Sequence, residues 1–463
     1  LTAGAGVGGH GADPSGPPDR PPTAGAGGGG HGADPSGPTG RWPAWSRRWA
    51  AGQPENALTR LRARLEAAGT PVVDLADANP TRHGLTLPAV AEVWAEAARR
   101  SQRYDPDPRG PVAAREALAA HFGGGPDDYW LTASTSEAYA WLGALLADPG
   151  DALAIPAPGY PLIEPLARYG ALTTRAYPLH YLHPYGWSLD PGGLVAATAA
   201  PAVRAVVAVN PGNPTGAYTS AAERAALVET CRRGGLSLVA DEVFWPFAID
   251  WALPEPSAPE PGGAAAAPPP ASPARPERLA GEPGVLTFAL DGLSKRLCAP
   301  QAKVAWIRLS GPAAAVAAAR PLLDQIADAF LPVNGAAGLA LPGWLALADA
   351  AAAAVQERLR ANLACLRARL DGDWARVRRC DGGWTALVDL PQTVPDPALS
   401  LLADQQVAVH PGWFYDLPDP GCVALSLLPA PEVFAAGCDK LAAWAAAAAD
   451  RPRLSGPGAV WVG

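Results

Sequence analysis

The sequence predicts an α/β protein: a mostly parallel central sheet with helices on both faces, joined to a smaller α+β domain. Three observations carry that expectation. Short apolar runs at 129–133, 152–155, 203–209, 236–240, 285–290 and 303–309 alternate with helical segments at 113–122, 136–147 and 221–233. Runs that are apolar throughout, without a polar face, suit parallel strands covered on both sides, and strand–helix alternation implies right-handed crossovers. A long Ala-rich helical region at 344–370 follows. Strands at 384–390 and 423–427 and a closing helix at 430–449 then read as the smaller domain, with an N-terminal helix at 55–68 packing beside it.

The rest of the chain is organised around this frame. Residues 1–40 hold an imperfect repeat, 2–17 and 23–38, of small and turn-forming residues. Such residues bury too little surface to offset the entropy of ordering. Residues 252–284 are Pro-rich and read as a solvent-exposed, partly polyproline-like insertion. The expected division is a low-complexity tail at 1–53 and a segment at 54–100 that packs with the small domain. The large domain follows at 101–335, the small domain at 336–450 and a tail at 451–463.

Composition excludes several classes. A formal net charge of −8 argues against a nucleic-acid binder. No run of about 18 apolar residues free of charge stands out, so no membrane span is expected. The six cysteines are scattered without a Cys-x-x-Cys pair, which favours reduced cytoplasmic thiols over a metal site or a disulfide framework.

In an open α/β sheet, ligands gather at the carboxyl ends of strands, and four motifs fall there in order. Asn210-Pro211-Gly212-Asn213-Pro214-Thr215-Gly216 follows the run at 203–209 and presents Asn213 on a turn that cannot continue as helix. Asp241-Glu242 follows 236–240; a carboxylate at a buried strand end needs a cation or donor. Ser294-Lys295 follows 285–290, where burial can lower the lysine's pKa and free a nucleophilic amine. Ser134-Thr135-Ser136 opens the helix at 136–147, an arrangement suited to a phosphate. Singly these read as a turn, a helix cap, a surface lysine and a second cap. Together they supply a phosphate cradle, a partner for a ring nitrogen, a hydroxyl donor and an amine that captures an aldehyde. That set matches pyridoxal 5′-phosphate.

With these motifs the sequence resembles the fold-type-I pyridoxal-phosphate enzymes, specifically class I/II aminotransferases, over about residues 72–446. The resemblance implies that Lys295 is the Schiff-base lysine and proton shuttle, and that Asp241 pairs with the pyridinium. It likewise makes Asn213 the donor to the cofactor's phenolic oxygen and Tyr160 the ring stacked on the cofactor. Ser134, Thr135, Ser136 and Ser294 match the phosphate-side and lysine-side positions. Tyr104 matches a tyrosine that reaches a neighbouring subunit's phosphate, so a homodimer is implied. Asn79 resembles the amino-terminal substrate loop. Asn213 and Asp241 stand 28 residues apart, as in the family; Asp241 and Lys295 stand 54 apart, an excess the Pro-rich stretch explains.

Four positions depart from the family pattern: Phe244 for a tyrosine, Lys303 for a phosphate-binding arginine, Gly292 for a serine, and Ala424 for the arginine that clamps the substrate carboxylate. Arg82 is the expected substitute clamp, with His410 at the same mouth beside Trp413 and Tyr415. The implied activity is transfer of an amino group between an amino acid and a 2-oxo acid. Another pyridoxal-phosphate reaction on the same scaffold, a β-lyase or a decarboxylase, and a non-catalytic cofactor binder remain the alternatives.

Overall fold

The computed structural model describes residues 55–249, 278–370 and 374–449, together with Ser46, Arg48 and Gly372. The repeat at 1–40, most of the Pro-rich stretch and the tail at 451–463 lie outside the described residues.

An eight-stranded sheet forms the centre. Its strands are β1 (Tyr129–Thr132), β2 (Ala152–Ala157), β3 (Thr173–Leu182), β4 (Gly186–Leu189), β5 (Val203–Val209), β6 (Ser237–Asp241), β7 (Thr287–Gly292) and β8 (Ala305–Ser310). They lie in the order β1-β8-β7-β6-β5-β2-β3-β4. The pairs β7–β6, β6–β5, β5–β2 and β2–β3 are parallel. The pairs β1–β8, β8–β7 and β3–β4 are antiparallel. The runs at 129–133 and 303–309, expected as parallel strands, thus meet as an antiparallel pair. An apolar run buried on both faces reads the same in either direction. The structural consequence is useful: β8 reverses once on each side, so β1 ends at the same sheet edge as β5, β6 and β7.

Helices cover both faces because successive side chains point to opposite sides. Ala205, Val207, Val239, Phe288 and Leu290 join one core with the helices Thr135–Leu146, Ile163–Tyr169 and Ala313–Phe330. Val206, Ala208, Leu238, Ala240 and Ala289 face the other way, onto Pro191–Thr198 and Ala221–Gly234. Each fully buried Val, Leu or Phe contributes about 1.5–3 kcal/mol. The Ala221–Gly234 helix starts on a reciprocal cap between Ser220 and Glu223 and stops at Gly235, whose φ of 61° suits glycine.

The second unit is a four-stranded antiparallel sheet, Arg376–Val377, Thr385–Asp389, Cys422–Ser426 and His410–Pro411, backed by the helices Pro397–Gln405 and Pro431–Ala449. The helix Gly335–Leu370 joins the two units. It begins in the core of Trp306, Leu341 and Trp344 and ends in that of Leu366, Trp384 and Phe434. Among the described residues it alone is long and apolar enough to cross a membrane by length and composition. Its apolar side chains, including Leu341, Trp344, Val355 and Leu366, are buried in these cores instead.

The far end of the Pro-rich stretch corrects the expectation of an exposed loop to residue 284. Leu279 is fully buried and donates its N–H to Glu242 Oε1 at 2.7 Å, and Glu282 pairs with Arg224. Residues 278–284 are tied into the fold because a buried carboxylate needs those donors.

Candidate active site

Three parallel strands end abreast. Val209 stands opposite Asp241 and Asp241 opposite Leu290, so the segments that follow β5, β6 and β7 leave one edge together. Asn210 pins the first of them: its N–H donates to the Asp241 carbonyl at 2.8 Å, and its buried side chain meets Glu242 and the Thr219 N–H. Gly212 then accepts from Gly216 at 2.8 Å, closing the turn that carries Asn213. The Asn213 Oδ1 atom is buried and has no hydrogen-bond partner.

Asp241, at the end of β6, is buried. Its Oδ2 accepts from the Tyr139 hydroxyl at 3.0 Å and its Oδ1 from the Val243 N–H at 3.3 Å. Loss of water pushes its carboxyl up to about 6, against the pull of those two donors. Lys295 belongs to the short helix Leu293–Arg296 that follows β7. Its Nζ lies 5.6 Å from the Phe244 ring centre and 5.0 Å from that of Trp384. Desolvation lowers its pKa, with Cys298 and Asp241 pulling the other way. The helix is anchored by Arg296, whose buried guanidinium pairs with Asp291 at 2.5 Å.

The remaining expected residues fall around this centre to different degrees. Ser134 caps the helix Thr135–Leu146, its Oγ accepting from the Glu137 N–H at 3.1 Å, so Thr135 and Ser136 occupy the first turn. Tyr160 follows β2 close to Asp241, and burial raises its hydroxyl pKa. Its neighbour Gly159 donates to the Tyr415 carbonyl at 3.1 Å, and Tyr415 in turn holds His410 Nδ1 at 2.9 Å through its hydroxyl. Phe244 is buried against Trp384. Ser294 is half-buried beside Lys295, and Lys303 is exposed on the turn entering β8.

Among the described residues the others share no hydrogen bond or ion pair with Lys295, Asp241 or Asn213. Tyr104 is 75% exposed. Asn79 caps a short 3-10 turn, and Arg82 on that turn leaves 56% of its side chain in solvent, 3.4 Å from Asp77. Ala424, expected at the clamp position, is sealed among Leu387, Tyr415, Leu417 and Cys422. Sequence reasoning missed Tyr139, Trp384 and Cys298. The first had a signal, a tyrosine on the buried side of the helix that opens with the serine–threonine turn, because a buried phenol needs a partner for its hydroxyl.

The sheet and the groups on its carboxyl edge define a fold of the aminotransferase kind. The chain belongs to the aminotransferase class I and II family, whose model matches residues 70–433. An alanine aminotransferase of Mycobacterium tuberculosis is 29% identical over 263 residues, 54% of this chain and 54% of the relative. A glutamate-pyruvate aminotransferase of Escherichia coli is 28% identical over 301 residues, 62% of this chain and 67% of the relative. The chain therefore spans about half the length of the first of these relatives. Among solved structures, an alanine aminotransferase from Pyrococcus furiosus superposes with a TM-score of 0.73 at 20% identity, covering 87% of this chain and all of the other. At that identity the likeness speaks for the fold.

Proposed function

We propose that the protein is a pyridoxal-phosphate-dependent aminotransferase that moves an amino group between an amino acid and a 2-oxo acid. The observation that supports it is the convergence of Lys295, Asp241 and Asn213 at one sheet edge, each with an unmet chemical need. The Asn213 amide is buried with its Oδ1 end unpartnered, and a half-turn of that amide brings its Nδ2–H donors to the same point. Asp241 is a buried carboxylate with two neutral donors. Among the described residues the Lys295 amine has no ion pair, and two aromatic rings flank it. A flat cationic ring bearing a phenolic oxygen and an aldehyde suits all three.

When bound, pyridoxal phosphate supplies an aldehyde that condenses with amines and a protonated ring that draws electrons from the bond to the α-hydrogen. The chain's own groups do the rest. Ser134, Thr135 and Ser136 hold a phosphate at a helix N-terminus, with Lys303 adding charge at longer range. Asp241 keeps a ring nitrogen protonated by lying beside it as the anion. With the cofactor bound, the Asn213 amide nitrogen would donate to the phenolic oxygen, and Tyr160 would offer its ring for stacking. Desolvation lowers the Lys295 pKa and so favours the free amine, whose Nζ can take the substrate's α-proton and return it elsewhere. Phe244 and Trp384 wall that amine from water. Asn79, Arg82 and His410 border the substrate, and a homodimeric, cytoplasmic enzyme completes the proposal, Tyr104 reaching the neighbouring subunit.

The test is a half-reaction. Purified protein loaded with pyridoxal phosphate is mixed with single amino acids while the cofactor's absorption band is followed. Stoichiometric pyridoxamine phosphate and a 2-oxo acid are expected with at least one donor, and none from Lys295→Ala. Loss of CO₂ or of a β-substituent instead of pyridoxamine phosphate would replace transamination by another reaction.

A further inference from the structure

We propose that Tyr139 is a positioning residue, whose hydroxyl holds the Asp241 carboxylate aligned and ionised for the cofactor's ring nitrogen. The inference rests on the functional reading above and adds a residue that no motif supplied.

The geometry is specific. Tyr139 sits in the helix that begins at the phosphate turn, so one helix places both the phosphate anchor and the support of the carboxylate. Its ring packs in an apolar core with Trp141, Ile163, Ala167 and Leu172, and its single polar atom crosses to Asp241 Oδ2 at 3.0 Å. Asp241 has one other hydrogen-bond donor among the described residues, the Val243 N–H.

The charges facing Asp241 come from several elements. Glu242 beside it and Asp291 on β7 oppose its ionisation. Lys295, on the helix after β7, favours it. Tyr160, after β2, and Tyr139 are phenols whose own pKa values burial and the carboxylate push up, so both stay neutral and Tyr139 remains a donor. A donor to the charged form lowers a carboxyl's pKa. Without the Tyr139 hydroxyl, burial and two like charges would act on Asp241 against one backbone N–H and the lysine.

Among the described residues no third hydrogen bond reaches the Asp241 carboxylate. On its other side Tyr139 walls a cavity of about 320 Å³ between the helices Thr135–Leu146 and Ile163–Tyr169, shared with Gly143, Leu153, Ile163 and Leu172. That lining is largely apolar, and a water needs two to four polar partners to stay. A phenylalanine keeps this wall and removes only the hydroxyl.

The experiment measures pyridoxal-phosphate affinity of the full chain against pH, by quenching of tryptophan fluorescence after the cofactor is removed and titrated back. Wild type should lose affinity on the acid side as Asp241 takes up its proton. Tyr139→Phe should move that acid limb up by roughly one pH unit and weaken binding about tenfold at mildly acid pH. Tyr177→Phe is the control: it deletes another buried phenol, one that donates to the Val207 carbonyl at 2.7 Å, and should leave the limb in place. Fluorotyrosine at position 139, a stronger donor, should move the limb down, which keeps the test open if the phenylalanine variant does not fold. Overlaid profiles for wild type and the Tyr139 variants, or an equal shift from Tyr177→Phe, would overturn the positioning role alone. A wild-type chain that binds no cofactor at any pH would overturn the functional reading with it.

Discussion

Replacing Asp241 by asparagine should make the cofactor-free protein more stable at neutral pH while disabling it. The carboxyl is buried at the end of β6, and burial pushes it up to about 6 from an ordinary 3.8. An acid whose folded pKa lies above its unfolded value binds an extra proton in the folded state between those two values. Stability therefore falls as pH rises from about 4 to about 6, and the full cost persists above that window. Two pH units at 1.36 kcal/mol each set the cost at about 3 kcal/mol. Asparagine avoids it and fits the same site: its Oδ1 can accept the Val243 N–H, and its amide can donate to the Tyr139 hydroxyl oxygen. Urea unfolding of both cofactor-free proteins, followed by circular dichroism, should show Asp241→Asn ahead by about 2–3 kcal/mol at neutral pH and level near pH 4. Saturating pyridoxal phosphate should reverse the order, because only the carboxylate pairs with a charged ring. An asparagine variant that is no more stable at neutral pH, or whose advantage persists unchanged in acid, would refute the reasoning.

Three further outcomes test other parts of the account. Gly216→Ala places a Cβ 2.6 Å from the Gly382 carbonyl and 2.9 Å from Cys380 Sγ at a φ of 67°. It should cost about 2–4 kcal/mol in thermal unfolding and weaken cofactor binding by displacing the Asn213 turn; a wild-type melting curve contradicts this. Asp291→Asn leaves the Arg296 guanidinium buried without its anion and should cost about 3–5 kcal/mol by urea titration. A loss under about 1 kcal/mol would show that water reaches that pair. Arg82→Ala should raise the Michaelis constant for amino-acid donors with little change in thermal stability, since the surface pair with Asp77 contributes at most about 1 kcal/mol; an unchanged constant removes Arg82 from substrate binding.

The site was legible in the sequence where chemistry sits in a short motif at a strand end. The heptapeptide at 210–216, Asp241 and Lys295 each follow an apolar run, and the parallel register of β5, β6 and β7 carries them to one edge. Three features were not legible, for physical reasons. The direction of β8 depends on its partners, because a doubly buried strand shows no polarity in its residues. Tyr139 and Asp241 are 102 positions apart, and only the packing of a helix on the sheet brings a phenol to a carboxylate. The hold on residues 278–284 comes from Glu242 and Arg224, partners that a Pro-rich composition hides. The clamp position shows a fourth limit. The resemblance expects an arginine where Ala424 stands, yet the apolar packing that seals the place, with Leu387 and Tyr415, appears only in three dimensions.

The account stands on the amine of Lys295 meeting the cofactor's aldehyde. Borohydride reduction of the protein loaded with pyridoxal phosphate, then digestion and mass mapping, reads that event directly. One pyridoxyl group per chain on the peptide that carries Lys295 is the expected result. Reduction that leaves this peptide unlabelled, or that fixes the group on another lysine, would contradict the account.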